Sequence, residues 1–331
     1  MKYDKITREL LFFLDSDSRA TIASLSKSLR LPETTLGYRI RSLEESGIIQ
    51  RAYPVFNPGP VGMSVHKLML KLHKIDEEEI HRLCRFLAAH PIVNWVARFD
   101  GHFDVGCTVL AKHVGEVSIF LDIIRRNFHA RIREISYAVN LKAEFFPRDY
   151  LISDQRRRNN GASYVSFNES KAVLELDATD WTILQELTNN ARTTNVQIAS
   201  RVNISAETVA RRIARLEMAG LIGGYRLALD HRALARTNYY LLLHLNVVSN
   251  ERIERLLAFL RSDARTVYLI KMLGEWDYDV CLEFEDAEAY RAFFINLMKQ
   301  FAEVIRDVQT HTTWQVIKFS ILPAAIFNGT K

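Results

Sequence analysis

Asn203-Ile204-Ser205-Ala206-Glu207-Thr208-Val209-Ala210-Arg211-Arg212-Ile213-Ala214-Arg215-Leu216-Glu217-Met218-Ala219-Gly220-Leu221-Ile222 carries both ends of a helix within itself. Ser205 offers a hydroxyl to cap the first turn, and Gly220 is the residue type best suited to leave the last one. Val209, Ile213 and Leu216 fall at i, i+4 and i+7, an apolar stripe that anchors the helix in a core. The opposite side presents Glu207 and Arg211, flanked by Arg212 and Arg215, so its cations can meet phosphates and base edges. Taken alone this is an ordinary solvated amphipathic helix. Its context makes it a reading helix.

Upstream, Asp177 to Asn190 forms a helix on Ile183, Leu184 and Leu187, and Asn195 to Val202 a shorter one on Val196 and Ile198. The tight Asn203-Ile204 turn joins the short helix to the reading helix, which gives a helix-turn-helix. Leu221-Ile222 and the following Gly223-Gly224-Tyr225-Arg226-Leu227 read as the first strand and turn of a wing. A shift of 173 residues then reproduces the pattern: Asp4 falls on Asp177, Leu11 on Leu184, Leu14 on Leu187, Arg19 on Arg192 and Thr35 on Thr208. Arg39, Ile40, Leu43, Glu44, Gly47 and Ile49 continue onto Arg212, Ile213, Leu216, Glu217, Gly220 and Ile222. A single offset without gaps marks an internal duplication.

In the first copy, Asp4 to Leu14 packs inward through Ile6, Leu10, Leu11 and Leu14, and Thr21 opens a second helix with Lys27 and Arg30 free to reach phosphates. Pro32 starts the reading helix, where its missing N–H costs nothing. Leu36, Ile40 and Leu43 then face in while Thr34, Tyr38 and Arg41 face out. Ile48 to Phe56 reads as a wing, and Asn57-Pro58-Gly59-Pro60 as a turn. From Ser64 the period changes to that of strands. A strand apolar on both faces (Leu68, Leu70 and Leu72 alternating with Met69 and Lys71) precedes a helix over Asp76–His90. A hairpin follows, Ile92–Phe99 with Asp104–Ala111 about Asp100-Gly101-His102. The helix Val114–Phe128 and a closing strand Ile132–Phe146 complete a βαββαβ unit. The offset carries through it, with Gly101 on Gly274, Asp104 on Asp277 and Phe120 on Phe293. The expected fold class is α+β: winged helix-turn-helix over 1–60, βαββαβ over 61–147, a linker over 148–175, then the same pair over 176–232 and 233–323. Arg156 to Arg158 in the linker read as a solvated charge run, with a DNA-touching basic arm as the alternative.

The 331 residues are 48% hydrophobic and 25% charged, enough for several domains with real cores. A net charge of +5 leans toward an acidic partner, nucleic acid before membrane. Cys84, Cys107 and Cys281 sit in apolar patterns without CxxC spacing, as in a reduced protein with no cysteine metal site. With no signal-peptide core and no apolar run near the ~20 residues of a membrane span, the cytoplasm is the expected location and no membrane partner is expected.

The patterns Arg39-Ile40-x-x-Leu43-Glu44-x-x-Gly47-x-Ile49 and Arg212-Ile213-x-x-Leu216-Glu217-x-x-Gly220-x-Ile222, each in a winged helix-turn-helix followed by βαββαβ, resemble the Lrp/AsnC family of transcriptional regulators. The resemblance covers nearly the whole chain. Asn190-Ala191-Arg192 keeps that family's opening motif, whereas Asp17-Ser18-Arg19 departs from it. It implies two ferredoxin-like, RAM-type domains that pair, here as a pseudo-dimer within one chain, with further homo-oligomers left open. It also implies double-stranded DNA as partner and a small-molecule effector such as an amino acid near the hairpin turns. The matching residues are Gly101, Phe103 and Asp104 in the first half and Gly274, Trp276 and Asp277 in the second. Glycine suits a hairpin turn with or without a ligand.

Siroheme decarboxylases resemble the same fold and also occur as paired or fused modules, so they are the alternative. Their His/Asn-Tyr-x-Arg stretch is replaced by Val93-Asn94-Trp95-Val96-Ala97-Arg98 and Val267-Tyr268-Leu269-Ile270-Lys271-Met272, with no His-Tyr pair. No P-loop, GxSxG or HExxH occurs, and His244 and His311 on apolar strands read as core residues. No catalytic residue, cofactor or metal is therefore expected. Phosphate neutralisation falls to Lys27, Arg30, Arg39, Arg201, Arg212 and Arg215, and discrimination to Thr34, Tyr38, Arg41, Glu207 and Arg211. Because those outward residues differ between the copies, the preferred DNA site should have two unlike halves.

Overall fold

In a computed structural model of the chain, every helix and strand of the first half has a mate 173 residues further on. The structure describes residues 3–74, 76–152, the backbone of 163–166, and 173–322. The first half runs α1 (Lys5–Ser16), α2 (Ile22–Leu29), α3 (Glu33–Glu45), β1 (Ile49–Phe56), β2 (Ser64–Leu72), α4 (Glu77–Ala89), β3 (Val93–Gly101), β4 (Val105–Ala111), α5 (Val114–Phe128) and β5 (Ile132–Phe145). A short β6 (Ser163–Ser166) follows. The second half repeats the order as α6 (Ala178–Asn189), α7 (Asn195–Val202), α8 (Ala206–Met218), β7 (Ile222–Leu229), β8 (Thr237–Leu245), α9 (Asn250–Ser262), β9 (Thr266–Gly274), β10 (Tyr278–Phe284), α10 (Ala287–Phe301) and β11 (Ile305–Phe319).

The helix ends form where the sequence supplies caps. Asp4, Thr21, Thr194 and Ser205 each accept from the backbone N–H three residues on, and Asp177 closes a reciprocal capping box with Asp180. Arg30 and its mate Asn203 both leave their helices in the left-handed region, at φ 54° and 55°, which sets the turn into each reading helix.

Each βαββαβ unit is a four-stranded antiparallel sheet, ordered β3-β4-β2-β5 and β9-β10-β8-β11. The sheets join at both seams, β5 to β9 and β3 to β11, so eight strands close into a ring with no free edge. Closure explains the strands that are apolar on both faces. Leu68 and Leu70 of β2 meet α4 and α5 in one core, Leu241 and Leu243 of β8 meet α9 and α10 in a second, and Met69 and Leu242 point into the ring's interior. That interior is continuous with the core of the two helical heads. The two RAM-type units thus pair within the chain.

Two boundaries differ from the sequence reading. Neither head builds a wing hairpin on β1 or β7: β7 runs straight through Gly223-Gly224 and pairs antiparallel with β1, from Ile49 opposite Leu229 to Phe56 opposite Ile222. Hydrogen-bonding edges that a wing would have satisfied locally are satisfied instead by the other copy. The stretch from Arg148 is also not free linker at its start, since Arg148, Asp149, Leu151 and Ile152 are buried. Arg156 to Arg158 lie outside the described residues. No described helix is long and apolar enough to cross a membrane.

Candidate nucleic-acid interface

Val209, Ile213 and Leu216 are buried under α8, and Leu36, Ile40 and Leu43 under α3. The outward residues stand where the helical period places them: Thr34, Tyr38, Arg41, Glu207 and Arg211 are all exposed, Tyr38 to 73%. Lys27 and Arg30 on the second helix of the first head are exposed as well. Among the described residues, Lys27, Arg30, Arg41 and Arg211 enter no ion pair.

The remaining cations are engaged inside their own heads. Arg212 donates through Nη1 to Asp177 (2.7 Å) and Asp180 (2.8 Å), and Arg215 donates through Nη2 to Asp180 (2.5 Å). Arg39 repeats the brace in the first head, donating to Asp4 Oδ2 at 3.1 Å and Thr7 Oγ1 at 2.8 Å. Arg201 pairs with Glu186. The Thr7 backbone N–H and hydroxyl, joined by Arg39, hold the Asp4 carboxyl at about 2. Bonds to Asp177 and Asp180 raise the Arg212 guanidinium above its ordinary value. Arg39, Arg212 and Arg215 fasten each reading helix to the first helix of its head, and Arg201 fastens α7 to α6. Expected from sequence as phosphate contacts, they are already partnered in the folded protein.

Arg19 and Arg192 lock the two heads to each other. Arg19 Nη1 donates to Ala191 O (2.7 Å) and Nη2 to Asn195 Oδ1 (3.0 Å), while Arg192 Nη1 donates to Ser18 O (2.8 Å). With the β1–β7 pairing, this reciprocal exchange fixes where α3 and α8 stand. The sequence marked both arginines as positions of a motif but not as a clasp, since nothing local reveals a partner about 170 residues away.

Of the residues expected near an effector, the two turn glycines pack against the seams of the ring. A Cβ on Gly101 would lie 2.6 Å from Thr310 O, and one on Gly274 would lie 2.5 Å from Tyr137 O, each across a seam. Phe103 and Trp276 are buried, Asp104 accepts from Leu72 N (2.7 Å) and Lys71 Nζ (3.1 Å), and Asp277 accepts from Leu245 N (2.7 Å). A shallow cleft lined by Glu77, Arg98, Gly101, Asp104 and Trp314 runs beside the first turn. His244 and His311 are buried, and His311 stacks on Phe103 with ring centroids 5.5 Å apart. Among the described residues no group of His, Cys, Asp and Glu is placed to hold a metal ion.

Two buried ionic groups escaped the sequence reading. Arg148 binds Glu283 through Nε and Nη2, each at 2.9 Å, and Asp15 through Nη1 at 3.2 Å. Lys67 pairs with Asp279 inside the ring. The available signal was Tyr278-Asp279-Val280-Cys281-Leu282-Glu283-Phe284, an apolar strand with acids on one face, but their cations lie far off in sequence.

Comparison with known proteins agrees with this arrangement. Residues 176–217 match the AsnC-type helix-turn-helix domain, and residues 3–50 match a winged helix-turn-helix DNA-binding family. The chain is 30% identical over 121 residues to the HTH-type transcriptional regulator FL11 of Pyrococcus horikoshii, covering 37% of this chain and 79% of that protein. It is 33% identical over 117 residues to the proline dehydrogenase transcriptional activator of Rhodobacter capsulatus, covering 35% of this chain and 76% of the activator. The siroheme decarboxylase NirDL superposes over 99% of this chain and 98% of its own, with a TM-score of 0.64 at 12% identity, a likeness of fold. The matched helix-turn-helix families and the regulators among the relatives make the chain, with its two heads on a paired βαββαβ core, a DNA-binding transcriptional regulator. The chain belongs to the Lrp/AsnC family, with two family modules in tandem.

Proposed function

We propose that this regulator reads an operator with two unlike half-sites, Thr34, Tyr38 and Arg41 facing one half and Glu207 and Arg211 the other. The observation that carries this is the divergence of exposed residues on two heads that are clasped to one another and share a matching core. Half-site symmetry mirrors protein symmetry, and this chain has no such symmetry on its reading faces. Lys27, Arg30, Arg41 and Arg211, which enter no ion pair among the described residues, supply the phosphate and base contacts. Arg39, Arg201, Arg212 and Arg215 position the helices. Selection from random DNA with wild type and Arg211→Ala in parallel tests the reading. The expected result is two different half-sites in the wild type, with preference relaxed in one half only in the variant, at about 1–3 kcal/mol. A palindromic consensus, or relaxation of both halves together, counts against it.

The whole-chain likeness to a siroheme decarboxylase supports a second reading, an enzyme on the same scaffold. The regulators among its relatives, at 30% and 33% identity against 12% for the decarboxylase, favour regulation. In the same reading, Gly101 and Gly274 serve ring closure, Asp104 and Asp277 hold the ends of β2 and β8 within their own units, and a small-molecule response has its site elsewhere.

A further inference from the structure

Where the ring's interior meets the underside of β1 lies a cavity of about 200 Å³, walled by the rings of Tyr53, Trp95, Tyr240 and Tyr268. An apolar cavity of ~150 Å³ accommodates one benzene, so this space suits one aromatic ring with a small substituent. Lys67 and Asp279 stand together in its wall, their side chains 4% and 1% exposed and paired through Asp279 Oδ2. The ammonium lies 5.4 Å from the Trp95 ring centroid and 5.3 Å from that of Tyr240. Asp279 Oδ1 has no hydrogen-bond partner among the described residues. A buried carboxylate oxygen left without a donor is costly, and such groups mark places where something else donates.

The cavity lies at one end of the ring, where the two copies have diverged. Its lining residues Tyr53, Leu110 and Ile321 have as mates Arg226, Glu283 and Arg148, and those three fill the equivalent place at the other end of the ring with buried ion pairs and hydrogen bonds. Its wall also belongs to β1, the strand that pairs with β7 and ties the heads together. A molecule seated there touches the element that sets head spacing.

We propose that this cavity is an effector site for one flat aromatic ring carrying a hydrogen-bond donor beside an acceptor, as in an aromatic carboxamide. The amide N–H donates to Asp279 Oδ1, the amide carbonyl accepts from Lys67 Nζ, and the ring lies among the four aromatic side chains. The effector role rests on the reading of the chain as a DNA-binding regulator, whereas the binding site itself does not.

The test is calorimetric titration of the full chain with benzamide and, separately, benzoate. The expected result is one benzamide per chain with a Kd on the order of 0.1–1 mM, the range open to so small a ligand. Benzoate should bind at least tenfold more weakly, because its second oxygen opposes that of Asp279. The double variant Lys67→Met with Asp279→Leu removes the pair without stranding a charge, and should lose benzamide at least tenfold while gaining toluene. The benzamide-to-benzoate ratio in the wild type stands even if that variant does not fold. No benzamide binding up to about 20 mM, two molecules per chain, benzoate equal to benzamide, or unchanged affinity in a folded double variant would each overturn the site. Saturating benzamide should shift affinity for the selected DNA at least threefold, and no shift overturns the effector role. Absence of any DNA binding without ligand instead sinks the regulator reading and leaves the cavity result intact.

Discussion

The two ends of the ring's interior descend from one sequence and have been completed in opposite ways. At one end Tyr53, Leu110 and Ile321 line an aromatic cavity. At the other, their mates Arg226, Glu283 and Arg148 join Asp15 and Tyr150, with Tyr150 donating to Glu283 at 2.5 Å and Arg226 to Asp15 O at 2.8 Å. A homodimer of single modules would carry both ends identical. Fusion removes that constraint, so one end can become a rigid ionic strut while the other keeps its space. The same freedom acts on the reading helices, whose buried faces match while their exposed faces differ.

The asymmetry between the ends is tested most directly at the ionic end. Glu283→Ala leaves Arg148 buried with half of its partners, and loss of about 3–5 kcal/mol is expected by urea unfolding. Ile321→Val, at the mate of Arg148, should cost at most about 1.5 kcal/mol. A loss below about 1 kcal/mol for Glu283→Ala would show that the network is not what holds that end. Burial alone would raise the Glu283 carboxyl, but Arg148 outweighs it and holds the group below its ordinary range. This contribution to stability is therefore present above the usual glutamate pKa and is lost as pH falls through the lowered value.

A second effect lies between the ends. Burial first, then Lys67 and His102, push the His311 imidazole down to about 4, and burial brings His66 to about 4 as well. An unfolded histidine takes a proton near 6.5 while the folded one stays neutral. Stability is then full above pH 6.5 and falls as pH drops toward 4, on the order of 3 kcal/mol for His311. His311→Gln should flatten the slope of unfolding free energy against pH in that window. An unchanged slope would exclude His311 as its source.

The seams, unlike the ends, have stayed alike at their turn glycines, and paired substitutions there test the likeness. Gly101 and Gly274 adopt φ of 145° and 148° with backbone oxygens against the missing Cβ. Gly101→Ala and Gly274→Ala should each cost about 1–3 kcal/mol, equally within error, by the same denaturation. A large inequality would mean that the two seams carry different loads.

How much of this was legible depended on how far apart the partners lie. The helices, their caps and the duplication were readable because Ser205, Gly220 and the i, i+4, i+7 stripe act within one or two turns. The βαββαβ order followed from period changes over short windows. The wings were misread because a strand shows its need for a partner but not which partner: β1 alternates equally well against its own hairpin or against β7. The Gly101 and Gly274 turns were recognised as special, but a glycine looks the same whether a ligand or a neighbouring strand takes the place of its side chain. Arg148 appeared as the edge of a linker because Asp15 and Glu283, more than 130 residues away on either side, were needed to show it buried.

The smallest expected effect separates the engaged cations from the free ones. Arg212 sits on the reading helix beside Arg211, so position alone would give both a phosphate. Arg212 already holds Asp177 and Asp180, and transfer to a phosphate would strand Asp180, whose side chain is 1% exposed and would keep only Arg215 as an ionic partner. Arg41 on the first reading helix has no such tie. Each phosphate neutralised contributes about −0.9 to the slope of log affinity against log salt. Arg41→Ala should therefore flatten that slope by about 0.9. Arg212→Ala should leave it unchanged and appear instead as a stability loss of about 1 kcal/mol in its own head. Titrations of the selected operator across a fourfold range of salt decide between them. If Arg212→Ala flattens the slope as Arg41→Ala does, the brace opens on DNA and Arg212 is a phosphate contact after all.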